Sequence, residues 1–160
     1  MSDYLDFLSE VLIPEEALQK RIAELGAKIS DDYKGKGPLI LVCILRGGVL
    51  FLTDLIRKIN IPHAIEFMGV SSYGVGGRES SGRVRLTLDL GVDIAGKHVL
   101  LVEDIIDSGR TIDAVMNLLA TREPASINVC TLLDKAERRE VDVPIKYIGF
   151  SIPNKFVFGY

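Results

Sequence analysis

Apolar residues recur along the chain in two alternating rhythms. Continuous runs rich in β-branched residues occupy 39–44 (LILVCI), 64–70 (AIEFMGV), 98–102 (HVLLV), 127–133 (INVCTLL) and 145–150 (IKYIGF), and each reads as a strand. Between several of them the spacing turns helical. Leu18, Ile22, Leu25 and Ile29 share one face, as do Val49, Leu52, Ile56 and Ile59, and again Ile112, Val115, Met116 and Leu119. Apolar strands alternating with amphipathic helices predict an α/β fold with a mainly parallel sheet flanked by helices, because each parallel crossover needs a helix to return the chain. Residues 83–90 (RVRLTLDL) depart from this: Val84, Leu86, Leu88 and Leu90 alternate with polar neighbours, which predicts a half-exposed strand. Just before them, residues 69–82 (GVSSYGVGGRESSG) carry five glycines and four serines without a period. That predicts a flexible loop, either a lid or a disordered connection.

The chain has 160 residues, enough for one sizeable core and too few for two ordinary domains, so one domain over 1–160 is expected. A net charge of -3 gives no general attraction to nucleic acid, and any bound anion must be held by a local set of donors. The first residues, MSDYLDFLSEVLI, contain acids and no bases, unlike a secretion signal. The longest apolar run, 38–45, is too short to span a bilayer. Both point to a cytoplasmic location. Cys43 and Cys130 sit in apolar runs and read as buried thiols, and His63 and His98 lack zinc-ligand spacing.

The stretch richest in chemistry is HVLLVEDIIDSGRTIDAVMNLLA, 98–120: an apolar strand, an acidic cluster, a small polar turn and an amphipathic helix. In doubly wound sheets ligands bind beyond the carboxyl ends of the strands, so residues 107–111 are expected there. Gly109 permits close approach, Ser108 and Thr111 offer hydroxyls, Arg110 adds charge, and the first amides of the helix point at an anion. This describes a phosphate cradle. Glu103 and Asp104 would repel a phosphate unless they met hydroxyls or a divalent cation, and a ribose with magnesium supplies both. The plainer reading is an acidic helix entrance capped by Asp107 or Ser108. A cap, however, does not call for two further carboxylates at the strand end.

VEDIIDSGRT at 102–111 resembles the signature of the type I phosphoribosyltransferases, and its EDIID core is most similar to their hypoxanthine-guanine branch. The resemblance covers nearly the whole chain. It implies a sheet with a small hood and a flexible active-site loop, and a magnesium-dependent transfer of the phosphoribosyl group from phosphoribosyl pyrophosphate to a 6-oxopurine. Under it Glu103 and Asp104 bind the ribose hydroxyls and help position the metal, and Asp107 exchanges the proton on purine N7. The 5'-phosphate lies on the stretch formed by Asp107, Ser108, Gly109, Arg110 and Thr111. ILRGG at 44–48 resembles the pyrophosphate loop, which assigns Leu45, Arg46 and Gly47 to pyrophosphate, with a cis Leu45-Arg46 peptide. Arg139 joins them. Ser72 and Tyr73 match the lid's Ser-Tyr pair. The segment 134–160 resembles the purine-binding part of the hood, with Lys135 on the purine O6, Phe156 stacking on the ring, and Val157 and Ile106 beside it. Family members are usually dimers or tetramers. They also continue past the Gly-Tyr that ends this sequence into a tail with an acidic ligand, so the second magnesium and the guanine amino group are expected to depend on whether that ligand is supplied.

Other readings meet the sequence less well. GVDIAGKH at 91–98 mimics a P-loop but has His98 where Ser or Thr is required, and it precedes a strand where a P-loop follows one. No GxGxxG opens a helix after a strand. Transfer to another base, xanthine or a pyrimidine, uses the same cradle. A non-catalytic phosphoribosyl pyrophosphate sensor that binds RNA would show salt-sensitive binding and no turnover.

Overall fold

A computed structural model describes residues 10–72 and 84–159. Helix α1 (Glu15–Tyr33) leads into β1 (Leu39–Leu45), α2 (Val49–Ile56), β2 (His63–Ser72), β3 (Val84–Leu88), β4 (His98–Ile106), α3 (Arg110–Ala120), β5 (Ser126–Asp134), a 3-10 turn at Ala136–Arg138 and β6 (Tyr147–Ser151). The strands form one sheet in the order β3-β2-β1-β4-β5-β6. All neighbours are parallel except β3, which runs antiparallel to β2.

Strand side chains alternate between two cores. Leu41, Cys43, Leu100, Val102, Cys130 and Leu132 pack under α1 and α2, against Ile22, Leu25, Phe51 and Leu55. Ile40, Val42, Val99, Leu101 and Val129 face the other way onto Ile112, Val115 and Leu119 of α3. The continuous apolar runs of β1 and β4 follow from this, since both faces are covered. Cys43 and Cys130 are buried free thiols, and burial pushes the Cys43 thiol up to about 12, with the charges of Glu103 and Asp104 adding to the shift. The outer edge of β6 is covered from α1, where Arg21 donates to the carbonyls of Gly149 at 2.9 Å and Ile148 at 2.8 Å. No helix among the described residues is long and apolar enough to cross a membrane.

Several boundaries differ from the sequence reading. β4 does not stop at Val102: Glu103, Ile105 and Ile106 pair with Thr131, Leu133 and Asp134 of β5, so the ladder runs on through the acidic pair. β2 continues to Ser72, which moves residues 69–72 from the expected loop into the sheet. Its apolar run is also less covered than expected, because the helices lie over the centre of the sheet and leave Ile65 and Phe67 exposed near Leu88. Helix α2 ends at Ile56 and not at Ile59.

The topology prepares a crevice. β1 and β4 are adjacent and parallel, but α2 leaves β1 toward one face while α3 leaves β4 toward the other. At that reversal the two carboxyl ends diverge, and ligand sites of open α/β sheets form there.

Candidate active site

A cavity of about 330 Å³ opens at this point. Ile44 and Leu45 of β1, Val70 of β2, residues 103–109, and Thr111 and Ile112 of α3 line it. The fold thus gathers Leu45, Glu103, Asp104, Ile106, Asp107, Ser108, Gly109 and Thr111 around one space, although Leu45 and Thr111 are far apart in sequence.

The turn between β4 and α3 is only three residues long. Gly109 stands at the helix entrance with φ 83° and ψ -11°, and no side chain caps the helix there. The left-handed conformation suits glycine, and a Cβ at 109 would also fall 2.8 Å from the Val141 carbonyl oxygen and 2.9 Å from Cδ of Arg139. The first intrahelical bond runs from Asp113 N–H to the Gly109 carbonyl at 2.9 Å. Ser108 Oγ accepts from Arg110 N–H at 3.4 Å. The carbonyls of the turn are engaged from behind: Arg139 Nε donates to Asp107 at 3.1 Å, and the amides of Glu140 and Val141 donate to Ser108 at 3.0 and 3.1 Å. Carbonyls held on one side turn the amides of their peptides to the other, the arrangement an anion requires.

After β1 the chain turns through a cis Leu45-Arg46 peptide, as the resemblance implied. Arg46 and Gly47 are exposed. Gly47 lies against the carboxylate of Asp104, so close that a Cβ would come within 2.8 Å of Asp104 Cγ. The turn after β1 therefore touches the end of β4 at a glycine and an acid.

Burial raises the Glu103 carboxyl well above the usual range, and the neighbouring Asp104 carboxylate pushes it further in the same direction. Asp104 Oδ1 accepts the Ile105 amide at 2.8 Å. Among the described residues neither acid pairs with a lysine or arginine. No three protein ligands cluster among them either. Two adjacent acids with no cationic side chain suit a divalent ion that brings its remaining oxygen ligands with a phosphate and water.

Lys135 and Arg139 follow β5 in a charged stretch that would ordinarily solvate a surface, yet both turn inward. Lys135 is only 6% exposed, its amide bonded to the Ile106 carbonyl at 3.0 Å, and its ammonium is 3.4 Å from Asp107 Oδ1. That distance makes an ion pair without hydrogen-bond geometry, and Oδ1 is a buried oxygen with no hydrogen bond. Arg139 was expected on pyrophosphate; its guanidinium instead pairs with the buried Asp134 and with the Asp107 carbonyl, and it does not line the cavity. Arg110, expected in the phosphate cradle, directs Nε and Nη2 to Glu140 Oε2, each at 2.6 Å. Phe156 is 94% exposed and Val157 is half-buried, and neither lines the cavity. Ser72 ends β2, and Tyr73 lies outside the described residues. Asp134, Glu140 and Val141 went unnoticed in the sequence. The available signal was an acid directly ending an apolar strand, which needs a partner when buried.

The phosphoribosyl transferase domain family matches residues 12–160. A hypoxanthine phosphoribosyltransferase of Salmonella typhimurium is 52% identical over 152 residues, covering 94% of this chain and 85% of its own length. A crystal structure of a hypoxanthine phosphoribosyltransferase from Staphylococcus aureus superimposes with a TM-score of 0.91 at 44% identity, covering 98% of this chain and 84% of that one. A Trypanosoma cruzi hypoxanthine phosphoribosyltransferase, solved in complex with the product IMP, superimposes with a TM-score of 0.87 at 42% identity, covering 94% and 84%. The acidic strand end, the glycine turn and the cis peptide thus sit in a chain whose likeness to these transferases runs almost from end to end, and the chain belongs to the phosphoribosyl transferase domain family.

Proposed function

We propose that this chain transfers the 5-phosphoribosyl group of phosphoribosyl pyrophosphate to N9 of hypoxanthine or guanine, yielding IMP or GMP and pyrophosphate, with magnesium as cofactor. The observation that carries this reading is the placement of Asp107. Its buried, unbonded Oδ1 faces the buried Lys135 ammonium at 3.4 Å, directly before an uncapped helix N-terminus. A 6-oxopurine offers both groups a partner, an N7 proton for the carboxylate and an O6 acceptor for the ammonium.

The amides and hydroxyls of residues 108–111 hold the 5'-phosphate, with Arg110 as an added charge, and fix the ribose over Glu103 and Asp104. These carboxylates accept the 2'- and 3'-hydroxyls. The bond from the anomeric carbon to pyrophosphate breaks as the bond to N9 forms, and Asp107 takes the proton leaving N7, or returns it in the reverse direction. Leu45, Arg46 and Gly47 supply donors to the departing pyrophosphate at the moment its charge grows. Glu103 and Asp104 would hold magnesium together with substrate oxygens, and it would supply a counter-charge for the departing pyrophosphate. Ile106, Phe156 and Val157 sandwich the base, and Ser72 and Tyr73 exclude water from the reacting centre. The segment 134–160 acts as the hood, and 1–160 as a single domain. The chain works in the cytoplasm as a homodimer or homotetramer, a reading supported by the exposed Ile65, Phe67 and Leu88 on one margin of the sheet.

The test is nucleotide formation from phosphoribosyl pyrophosphate with hypoxanthine, guanine, xanthine, adenine and uracil, each with and without magnesium. Turnover is expected with the first two and is expected to vanish on chelation. Turnover with uracil or adenine alone would overturn the base assignment.

The contact between the β1 turn and the end of β4 gives a sharper check. Gly47→Ala places a methyl group against Asp104, so the Michaelis constant for phosphoribosyl pyrophosphate should rise by about tenfold or more, as for loss of a charge-assisted contact. Because Gly47 is exposed, thermal stability should hardly change. An unaltered Michaelis constant would remove the pyrophosphate turn from the site.

A further inference from the structure

A loop that binds phosphate through its amides has a second requirement. Each N–H turned toward the ligand leaves a neighbouring carbonyl turned away from it, and a carbonyl held out of water needs a donor. In the turn after β4 those donors come from residues 139–141, more than thirty positions later in the chain. Two of the three are backbone amides, of Glu140 and Val141, which almost any residue supplies. The third is a side chain, Arg139, and it meets the carbonyl of Asp107 itself.

We infer that Arg139, clamped by Asp134, is a positioning residue that shapes the phosphate turn from behind and makes no contact with pyrophosphate. This rests on the phosphoribosyl-transfer reading. Asp134 ends β5 and stands opposite Ile106 in the β4–β5 ladder, with its side chain only 8% exposed. One edge of the Arg139 guanidinium pairs with this carboxylate, and Nε reaches the Asp107 carbonyl at 3.1 Å. The group therefore ties the end of one strand to the residue that follows the next. Its Cδ fills the space where a Cβ of residue 109 would lie, so the side chain also occupies the rear of Gly109. Only a rigid, multi-donor fork serves both partners at once. A lysine ammonium in the same place satisfies the acid or the carbonyl, but does not span the two.

IMP carries the 5'-phosphate and no pyrophosphate, and this separates the two roles. The intact enzyme and the variants Arg139→Lys and Asp134→Asn/Arg139→Gln are titrated with IMP by calorimetry. The Michaelis constant for pyrophosphate is measured in the reverse reaction, and melting temperature is recorded beside each. The double variant removes both charges together, so no buried acid is stranded. A positioning role predicts IMP affinity weakened by about tenfold or more in both variants, with the pyrophosphate constant nearly unmoved. It also predicts that Arg139→Lys keeps the melting temperature without rescuing affinity. IMP binding within about twofold of the intact enzyme in either folded variant overturns the inference, as does full rescue by lysine. Should the double variant fail to fold, Arg139→Lys alone decides. Failure of the intact enzyme to bind IMP or turn over any 6-oxopurine would instead remove the transfer reading, which is a different result.

Discussion

Replacing Asp107 with asparagine is expected to lower kcat by about 10²–10⁴-fold, the range associated with loss of a positioned acid or base, while IMP affinity stays close to that of the intact enzyme. Asparagine has nearly the same shape and still offers an oxygen, so the turn keeps its form and the ion-pair partner Lys135 keeps a polar neighbour. What disappears is the capacity to take the N7 proton. The carboxylate is poised for that task because Oδ1 is buried without a hydrogen bond, a state that a carboxylate serving only as a helix cap would not show. Single-turnover measurement of nucleotide formation reads the effect at the chemical step. An unchanged rate there would mean that the proton leaves by another route and that Asp107 only shapes the turn.

Lys135→Met should act on the base and not on the sugar phosphate. A charge-assisted hydrogen bond in a site closed to water contributes about 1.5–3 kcal/mol, so the Michaelis constant for hypoxanthine should rise by about 10–100-fold. That for phosphoribosyl pyrophosphate should scarcely move. Methionine fills a comparable volume, and although Oδ1 of Asp107 is buried its side chain as a whole is 44% exposed, so the carboxylate keeps solvent on one side and the loss of stability should be small. Initial rates with each substrate varied in turn check this. Equal effects on both Michaelis constants would show that Lys135 supports the site as a whole and does not read the purine.

The centre of the sheet was legible from the chain alone, its margins much less. β1, β4 and β5 are covered on both faces and carry unbroken apolar runs, so periodicity finds them. β2 carries a similar run, yet Ile65 and Phe67 are exposed, because no local pattern encodes which helices lie overhead. The end of β4 was misjudged for a related reason. Acids at 103 and 104 read as the close of a strand, whereas Glu103, Ile105 and Ile106 stay paired to β5 and both acids line the cavity. Most residues lining the cavity fall in one short motif and in the turn that faces it, Val70 and Ile112 excepted, which is why a single motif pointed to so much of it. The supports of that motif were not recovered. Asp134, Arg139 and Glu140 act through contacts that the β5 crossover brings together, and in sequence they look like an ordinary solvated stretch. Lys135 was assigned only by resemblance, and burial sets it and Asp134 apart from the charged residues that follow them.

The engagement of the Asp107 and Ser108 carbonyls by residues 139–141 bears on how this motif could be moved. VEDIIDSGRT is contiguous and looks portable, but its conformation is written in two places. Grafted onto another parallel sheet as ten residues, it would arrive with its carbonyls facing nothing, and they would recruit either water or the loop's own amides. The second choice would turn inward the very groups meant for phosphate. The transferable unit is therefore discontinuous, the turn together with the strand end and short return segment that stand behind it, and a designer would need to carry both.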